Sequence, residues 1–204
     1  MQPTTDLQSL LESIHAEVRP LHGRGKVADY IPALASVDPR QFGLYVETLS
    51  GRRAATGDTE TRFSIQSISK VFTLTLAIRG LDGRLWERLG VEPSGDPFNS
   101  LVQLEYEQGI PRNPFINAGA IVVTDVLLDL YEDPKAEILR FVRQLVGSDD
   151  IHYNPGVAAS EWEHGHHNRA LAHLMRAYGN IRHDVEQVLD IYFWQCSLEM
   201  NCRE

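Results

Sequence analysis

Ser67 and Lys70, three residues apart in the stretch FSIQSISKVF (63–72), are the strongest candidates for covalent chemistry in this 204-residue chain. On a helix, positions i and i+3 share a face, so the hydroxyl and the amine can meet. The first turn of a helix also directs unpaired backbone N–H groups outward. Such donors hold the oxyanion that forms when an acyl carbon is attacked. Lysine accepts the serine proton only when neutral. Its ordinary pKa of about 10.4 must then fall to roughly 7–8, a change worth about 4 kcal/mol. Burial among Ile65, Ile68, Val71, Phe72 and Leu74 would supply that fall. In the alternative, Lys70 stays charged and stabilises the serine oxyanion while another group moves the proton. The spacing alone equally fits a capping serine and a solvated lysine. Two features favour chemistry. The chain has only three lysines (Lys26, Lys70 and Lys135), and an idle charge within an apolar helix start is costly.

The elements that must hold these residues follow from the hydropathy pattern. Leu7, Leu10, Leu11, Ile14 and Val18 recur at helical spacing and predict a helix over 5–19. The glycine-marked stretch 22–35 reads as a loop. Residues 42–48 alternate apolar and polar, Ser50-Gly51 marks a turn, and 52–57 returns as the second strand of a hairpin. A helix from Ser67 to Arg79 follows, with Gly80 as its stop. Residues 81–116 are rich in Gly, Pro and Asn and predict short helical pieces at best. Ala118–Tyr131 and Lys135–Val146 read as helices. Asn154-Pro155-Gly156 reads as a loop, and Ser160 with Glu163 as a capping box opening a helix to Tyr178. A last helix spans 183–198. Two early strands followed mainly by helices indicate an α+β fold in one domain, 1–204.

A formal net charge of −9 argues against a nucleic-acid surface, which needs clustered Lys and Arg. No apolar run approaches the roughly 20 residues of a membrane span. Met1 to Leu11 lacks the charged start and apolar core of a signal peptide. Cys196 and Cys202 form neither a disulfide framework nor a zinc pattern, which leaves a reducing, cytoplasmic setting as the expectation. His164, His166 and His167 lack the spacing of a zinc site such as His-Glu-x-x-His and read as a solvated helix start, so no metal is expected.

The stretch FSIQSISKVF resembles the nucleophile motif of the bacterial-type, serine-dependent glutaminases. GKVADYIPALA (25–35), PRNPFINAGAI (111–121) and YFWQCSLEMNCR (192–203) resemble further blocks of that family, in the same order. The resemblance implies the serine β-lactamase and penicillin-binding-protein fold, a helical cluster packed on an antiparallel sheet. It implies L-glutamine as substrate, no cofactor, and a homo-oligomer, typically a tetramer. By position, it makes Ser67 the nucleophile and Lys70 its activating partner. It also makes Asn117 a substrate-binding asparagine near the nucleophile, and Glu161 and Asn168 the residues that hold the amino-acid head. Tyr192 becomes a tyrosine close to the serine that binds substrate or relays a proton. Tyr30 falls on a loop that covers the pocket.

These residue types suit glutamine. A carboxylate such as Glu161 can bind the α-ammonium, and side-chain amides can bind the α-carboxylate or the reacting carbonyl. Each also has a plainer local reading. Asn117 could cap a helix beginning at Ala118, and Glu161 could be a first-turn acid. Asn168 could be a surface residue, and Tyr192 the edge of a core. The sequence departs from the family twice. His167 precedes Asn168 where the family usually has arginine. The family also continues beyond a position matching Glu204, with a Lys-Ser-Gly strand, a further substrate tyrosine and a backbone oxyanion donor, so the domain is expected to be C-terminally truncated and its sheet incomplete. Besides glutaminase, a β-lactamase-like or esterase-like serine acyl hydrolase and an inactive truncated fragment remain open on sequence.

Overall fold

A computed structural model describes residues 6–204, with only the backbone of Asp82. The expected helix start at Thr5 lies outside the described residues. The chain divides into two compact units. One runs up to Phe63 and includes Met200–Glu204; the other is Ser64–Glu199.

The first unit holds α1 (Leu7–Val18), the short α2 (Pro32–Ala35), β1 (Gly43–Glu47) and β2 (Arg53–Gly57). Asp6 caps α1 by accepting the Gln8 N–H at 3.2 Å. β1 and β2 form the expected antiparallel hairpin, with Gly43 opposite Gly57 and Glu47 opposite Arg53. Its turn needs Gly51, whose φ of +79° lies in the left-handed region. The Gln8 side chain both donates to and accepts from the Ala55 backbone, so α1 occupies hydrogen-bonding groups of β2 that would otherwise form a bare edge.

The second unit is helical. β3 (Phe63–Ser64) leads through a 3₁₀ turn, Gln66–Ile68, into α3 (Ser69–Leu81). A second 3₁₀ segment, Asp82–Glu87, precedes α4 (Leu101–Tyr106), α5 (Asn117–Leu130) and α6 (Pro134–Val146). β4 (His152–Tyr153), α7 (Pro155–His164), α8 (His166–Ala177), α9 (Val185–Cys196) and β5 (Leu198–Met200) complete it. β4 pairs antiparallel with β5, and the Ile65 N–H donates to the Leu198 carbonyl at 2.8 Å. α5 is the core. Every residue from Ala118 to Leu127 is buried, and α3, α6, α8 and α9 surround the helix. A helix apolar on all sides has no solvent face to offer.

The structure corrects several expectations. Gly80 does not stop α3; it lies inside the helix, where an added Cβ would come within 2.5 Å of Leu130. It is therefore a close-packing glycine rather than a terminator. The expected capping box at Ser160 is absent because the helix begins earlier. Asn154 accepts the Val157 N–H at 3.0 Å and Pro155 fills the first helical position. The single helix expected up to Tyr178 is two, broken at Gly165, where a Cβ would strike the Phe193 ring and the Glu161 carbonyl. The last helix ends at Cys196, and the chain then extends as β5. The strands form two small sheets, β1-β2 and β3-β5-β4, in keeping with the expected α+β class.

Candidate functional site

Ser67 does not begin an α-helix. It sits exposed in the 3₁₀ turn ahead of α3. Gln66, just before it, has φ +48°, a left-handed conformation that costs a non-glycine residue roughly 1–2 kcal/mol. The turn is held from within and from behind. Buried Ser69 donates its hydroxyl to the Gln66 carbonyl at 2.7 Å, and α9 packs against the turn. The backbone strain therefore rests on a rigid support.

Lys70, on the first turn of α3, is 1% exposed. Its Nζ donates to the Phe115 carbonyl at 2.9 Å and to Asn117 Oδ1 at 2.8 Å, and lies 5.4 Å from the centre of the Phe98 ring. Neither hydrogen bond goes to Ser67. Burial lowers the Lys70 pKa from 10.5 to about 8, with the Cys196 sulfur acting weakly in the opposite direction. The fall runs in the expected direction and comes from burial, but not from all the expected neighbours: Ile68 and Val71 are half-exposed, and the amine is enclosed by Phe98, Phe115 and Asn117 instead.

Asn117 is the first residue of α5, whose N-cap is Ile116. Its side chain does not cap the helix, so the plainer reading of this residue fails. Asn117 instead accepts from Lys70 and donates through Nδ2 to Asn168 Oδ1 at 3.0 Å. Its own N–H is fixed to the Phe98 carbonyl at 2.9 Å. Asn168 is half-buried on the first turn of α8. Glu161, on α7, is only 3% exposed, and Tyr192, on α9, is 2% exposed. Glu161 lies past the first turn of α7, so it is not the first-turn acid that local sequence allows, and Tyr192 is buried within the core. Both converge on Cys196, one helical turn beyond Tyr192. Burial drives that thiol's pKa up and Glu161 adds to the rise, while Lys70 and a hydrogen bond with Tyr192 oppose it. The structure thus gathers Lys70, Asn117, Asn168, Glu161 and Tyr192 in one unit, with Ser67 one turn from Lys70. Tyr30 belongs to the other unit, ahead of α2, and is 59% exposed. The histidine cluster is exposed, and His164 Nδ1 bonds the Ser160 carbonyl at 3.0 Å.

Sequence reasoning missed Phe98, Phe115 and Cys196. Phe98 and Phe115 act largely through main-chain carbonyls within the Gly/Pro/Asn-rich stretch, where no periodicity marks a position. Cys196 had a usable signal, its i,i+4 spacing from Tyr192. A cavity of about 490 Å³, lined by Leu74, Trp86, Phe98 and Phe115 among others, lies beside the Lys70 contacts. A cavity of about 560 Å³ along α6 touches none of the site residues.

A family model described as Glutaminase matches residues 25–204. A glutaminase of Christiangramia forsetii is 57% identical over 199 residues, 98% of this chain and 66% of its own length. One from Klebsiella pneumoniae is 55% identical over 197 residues, 96% of this chain and 64% of its own. Among solved structures, Mglu in its glutamate form superposes with a TM-score of 0.86 at 29% identity, over 96% of this chain and 45% of that one. A Bacillus glutaminase gives 0.80 at 32%, over 95% and 62%. The helix-rich α+β architecture is thus that of the glutaminases, the serine β-lactamase-like fold expected from sequence. The chain spans about two-thirds of the length of these curated relatives.

Proposed function

The chain belongs to the glutaminase family, and on that premise we propose that it hydrolyses the side-chain amide of L-glutamine to L-glutamate and ammonia through an acyl-enzyme on Ser67. The observation that carries this reading is the pair of bonds on Lys70. An amine has two N–H groups and one lone pair; an ammonium has three N–H groups and none. Phe115 and Asn117 accept two N–H bonds, which is the full complement of the neutral form. Burial lowers the Lys70 pKa to about 8, which brings that neutral form within reach near neutral pH. The lone pair is left for the Ser67 hydroxyl, one turn away.

The reaction then balances as two acyl transfers. Ser67 Oγ bonds to the amide carbon as its proton passes to Lys70 Nζ. The tetrahedral intermediate collapses with cleavage of the C–N bond, and ammonia leaves with the proton that Lys70 or Tyr192 delivers. Water attacks the glutamyl ester and gives its proton to the same base, which returns it to Ser67 Oγ as the C–O bond to Ser67 breaks. Buried Glu161 suits the α-ammonium, and Asn168 the α-carboxylate. The family resemblance also supports a homotetramer and a reaction without a cofactor.

The test is ammonia release by the purified 204-residue chain from glutamine and asparagine, with ring opening of a β-lactam followed by absorbance. Glutamine should be turned over and the other two should not. Ser67→Ala should lower the rate by about 10⁴-fold or more with the melting curve unchanged. Undiminished turnover in that variant removes Ser67 from the mechanism. A folded wild-type chain with no turnover means that the reading does not hold for a chain of this length.

A further inference from the structure

We propose that Ser69 is a positioning residue: its buried hydroxyl pins the Gln66 carbonyl and so keeps the backbone before Ser67 in the left-handed conformation that presents the nucleophile. The proposal rests on the glutamine reading only for the reaction that Ser67 performs. Among the described residues, two that carry side chains have positive φ, Gln66 at +48° and Gln108 at +52°. Gln108 is explained by its place. It lies just past the end of α4 and before Gly109, where a left-handed residue commonly closes a helix. Gln66 lies ahead of α3, where a helix asks for no such residue. A left-handed residue with a side chain persists there only if its surroundings over-determine it.

Two anchors do so. On one side, Ile65 is buried and its N–H donates to the Leu198 carbonyl of β5 at 2.8 Å. On the other, Ser69 is fully buried and shares a stripe of α3 with Thr73, Leu76 and Ala77. The Ser69 hydroxyl donates to the Gln66 carbonyl at 2.7 Å. That carbonyl also receives the Ser69 N–H, which is shared with the Ser67 carbonyl. The hydroxyl is therefore not required merely to satisfy the oxygen. It adds a second attachment, which fixes the direction of the Gln66 C=O. The peptide joining Gln66 to Ser67 is planar, so a fixed oxygen also fixes where Ser67 begins. Ser67 itself is exposed between the two anchors. Without the hydroxyl, Gln66 relaxes toward negative φ, the plane turns, and Ser67 moves relative to Lys70. A displacement of about 1 Å in a reacting group costs about 100-fold in rate.

The first arm of the test needs no ligand. Cross-relaxation between a residue's own amide proton and Hα is strong at positive φ, where the two protons are closest. It is measured by NMR on the 204-residue chain with ¹⁵N-labelled glutamine. In wild type it should be strong at Gln66 and at Gln108, which serves as the internal reference. In Ser69→Ala it should weaken at Gln66 and stay unchanged at Gln108. Undiminished cross-relaxation at Gln66 in that variant overturns the proposal. Ser69→Cys, whose thiol is a weaker donor, is read in the same way if Ser69→Ala does not fold.

The second arm is turnover of glutamine in a double-mutant cycle with Gln66→Gly. Glycine adopts positive φ freely and needs no hydroxyl to hold it there. Gln66→Gly also removes the bond from Gln66 Nε2 to Ser64 at 3.2 Å, so the measure is the effect of Ser69→Ala in each background. In the wild-type background, Ser69→Ala should lower kcat about 10–100-fold and leave KM within about twofold. The midpoint of the pH profile, set by Lys70 at about 8, should not move. In the Gln66→Gly background the same change should cost less than about threefold. Equal losses in both backgrounds overturn the proposal, and so does a shifted midpoint, which would assign the effect to Lys70. A chain that does not turn over glutamine refutes the glutamine reading, while the cross-relaxation arm still decides the role of Ser69.

Discussion

Lys70 concentrates the residue-scale physics of this protein. Its amine is buried, has acceptors for two protons, and has a pKa lowered by desolvation to about 8. Two pH effects follow, and they run in the same direction. If neutral Lys70 is the base, turnover should rise with pH and level off above about 8. Stability should rise as well. The unfolded chain, with the ordinary 10.5, binds the proton more tightly than the folded one. Between pH 8 and 10.5 the unfolded state therefore carries more protons, and raising the pH favours the fold. The stabilisation is complete above 10.5 and is progressively lost toward 8. At 1.36 kcal/mol per pH unit, the gap between 10.5 and about 8 is worth about 3 kcal/mol. Unfolding free energies of wild type and Lys70→Met, compared by urea titration at pH 7 and pH 10.5, should move relative to each other by about that amount, wild type gaining at high pH. Parallel pH dependences would mean that Lys70 titrates alike in both states, and the case for a neutral base would go with them.

Elements rather than residues decide where Asn117 points. α5 starts at Asn117 because the chain before it, Asn113 to Ile116, folds tightly back. Asn113 Oδ1 accepts the N–H groups of both Phe115 and Ile116, at 2.9 and 3.2 Å. Gly119 then passes so close to the Asn113 carbonyl and Pro114 that a Cβ cannot be placed without moving the backbone. Gly119→Ala should therefore cost about 1–3 kcal/mol by overpacking, read as a lower urea midpoint with an unchanged slope. It should also loosen the Lys70–Asn117 bond and lower turnover. A neutral substitution would show that α5 can shift freely and does not set the site. This contact also bears on what a sequence can disclose. The apolar run from Ala118 announces α5, and the caps at Asp133 and Asp184 lie where α6 and α9 begin. The reason for Gly119 is not legible, because its partner is a carbonyl in a segment without periodicity. Gly80 misled for the same cause: a glycine near a helix end reads as a stop unless one knows that Leu130 is packed against it. The Ser67–Lys70 spacing was legible because it is local. The wiring Lys70–Asn117–Asn168 was not, since it joins positions 47 and 51 residues apart.

On the scale of the whole molecule, the Ser64–Glu199 unit contains a buried ionic cluster away from the site. Asp125, fully buried on α5, takes bonds from the Arg88 guanidinium and from the N–H groups of Arg182 and His183. Asn180 bridges the same arginine to the Gly109 carbonyl. The cluster joins the 3₁₀ segment, the core helix and the loop before α9, which are far apart in sequence and close in the fold. Burial pushes the Asp125 carboxyl toward protonation, but the His183 N–H and Arg88 outweigh it and hold its pKa below the usual range. A buried pair of this kind gains little over an apolar substitute, yet breaking it strands a charge. Arg88→Met should therefore lower stability by about 3–5 kcal/mol at pH 7, and adding Asp125→Asn should recover part of the loss. The pH dependence has a definite sign. A depressed carboxyl stabilises the fold above its unfolded pKa, and that contribution disappears as pH falls through the folded value. The gap between wild type and Arg88→Met should accordingly narrow on acidification, because a protonated Asp125 no longer needs its cation. Urea midpoints at pH 7 and pH 4 measure both quantities. A loss below about 0.5 kcal/mol at pH 7, the range of an ordinary surface change, would show that solvent reaches the cluster and that α5 is not anchored there.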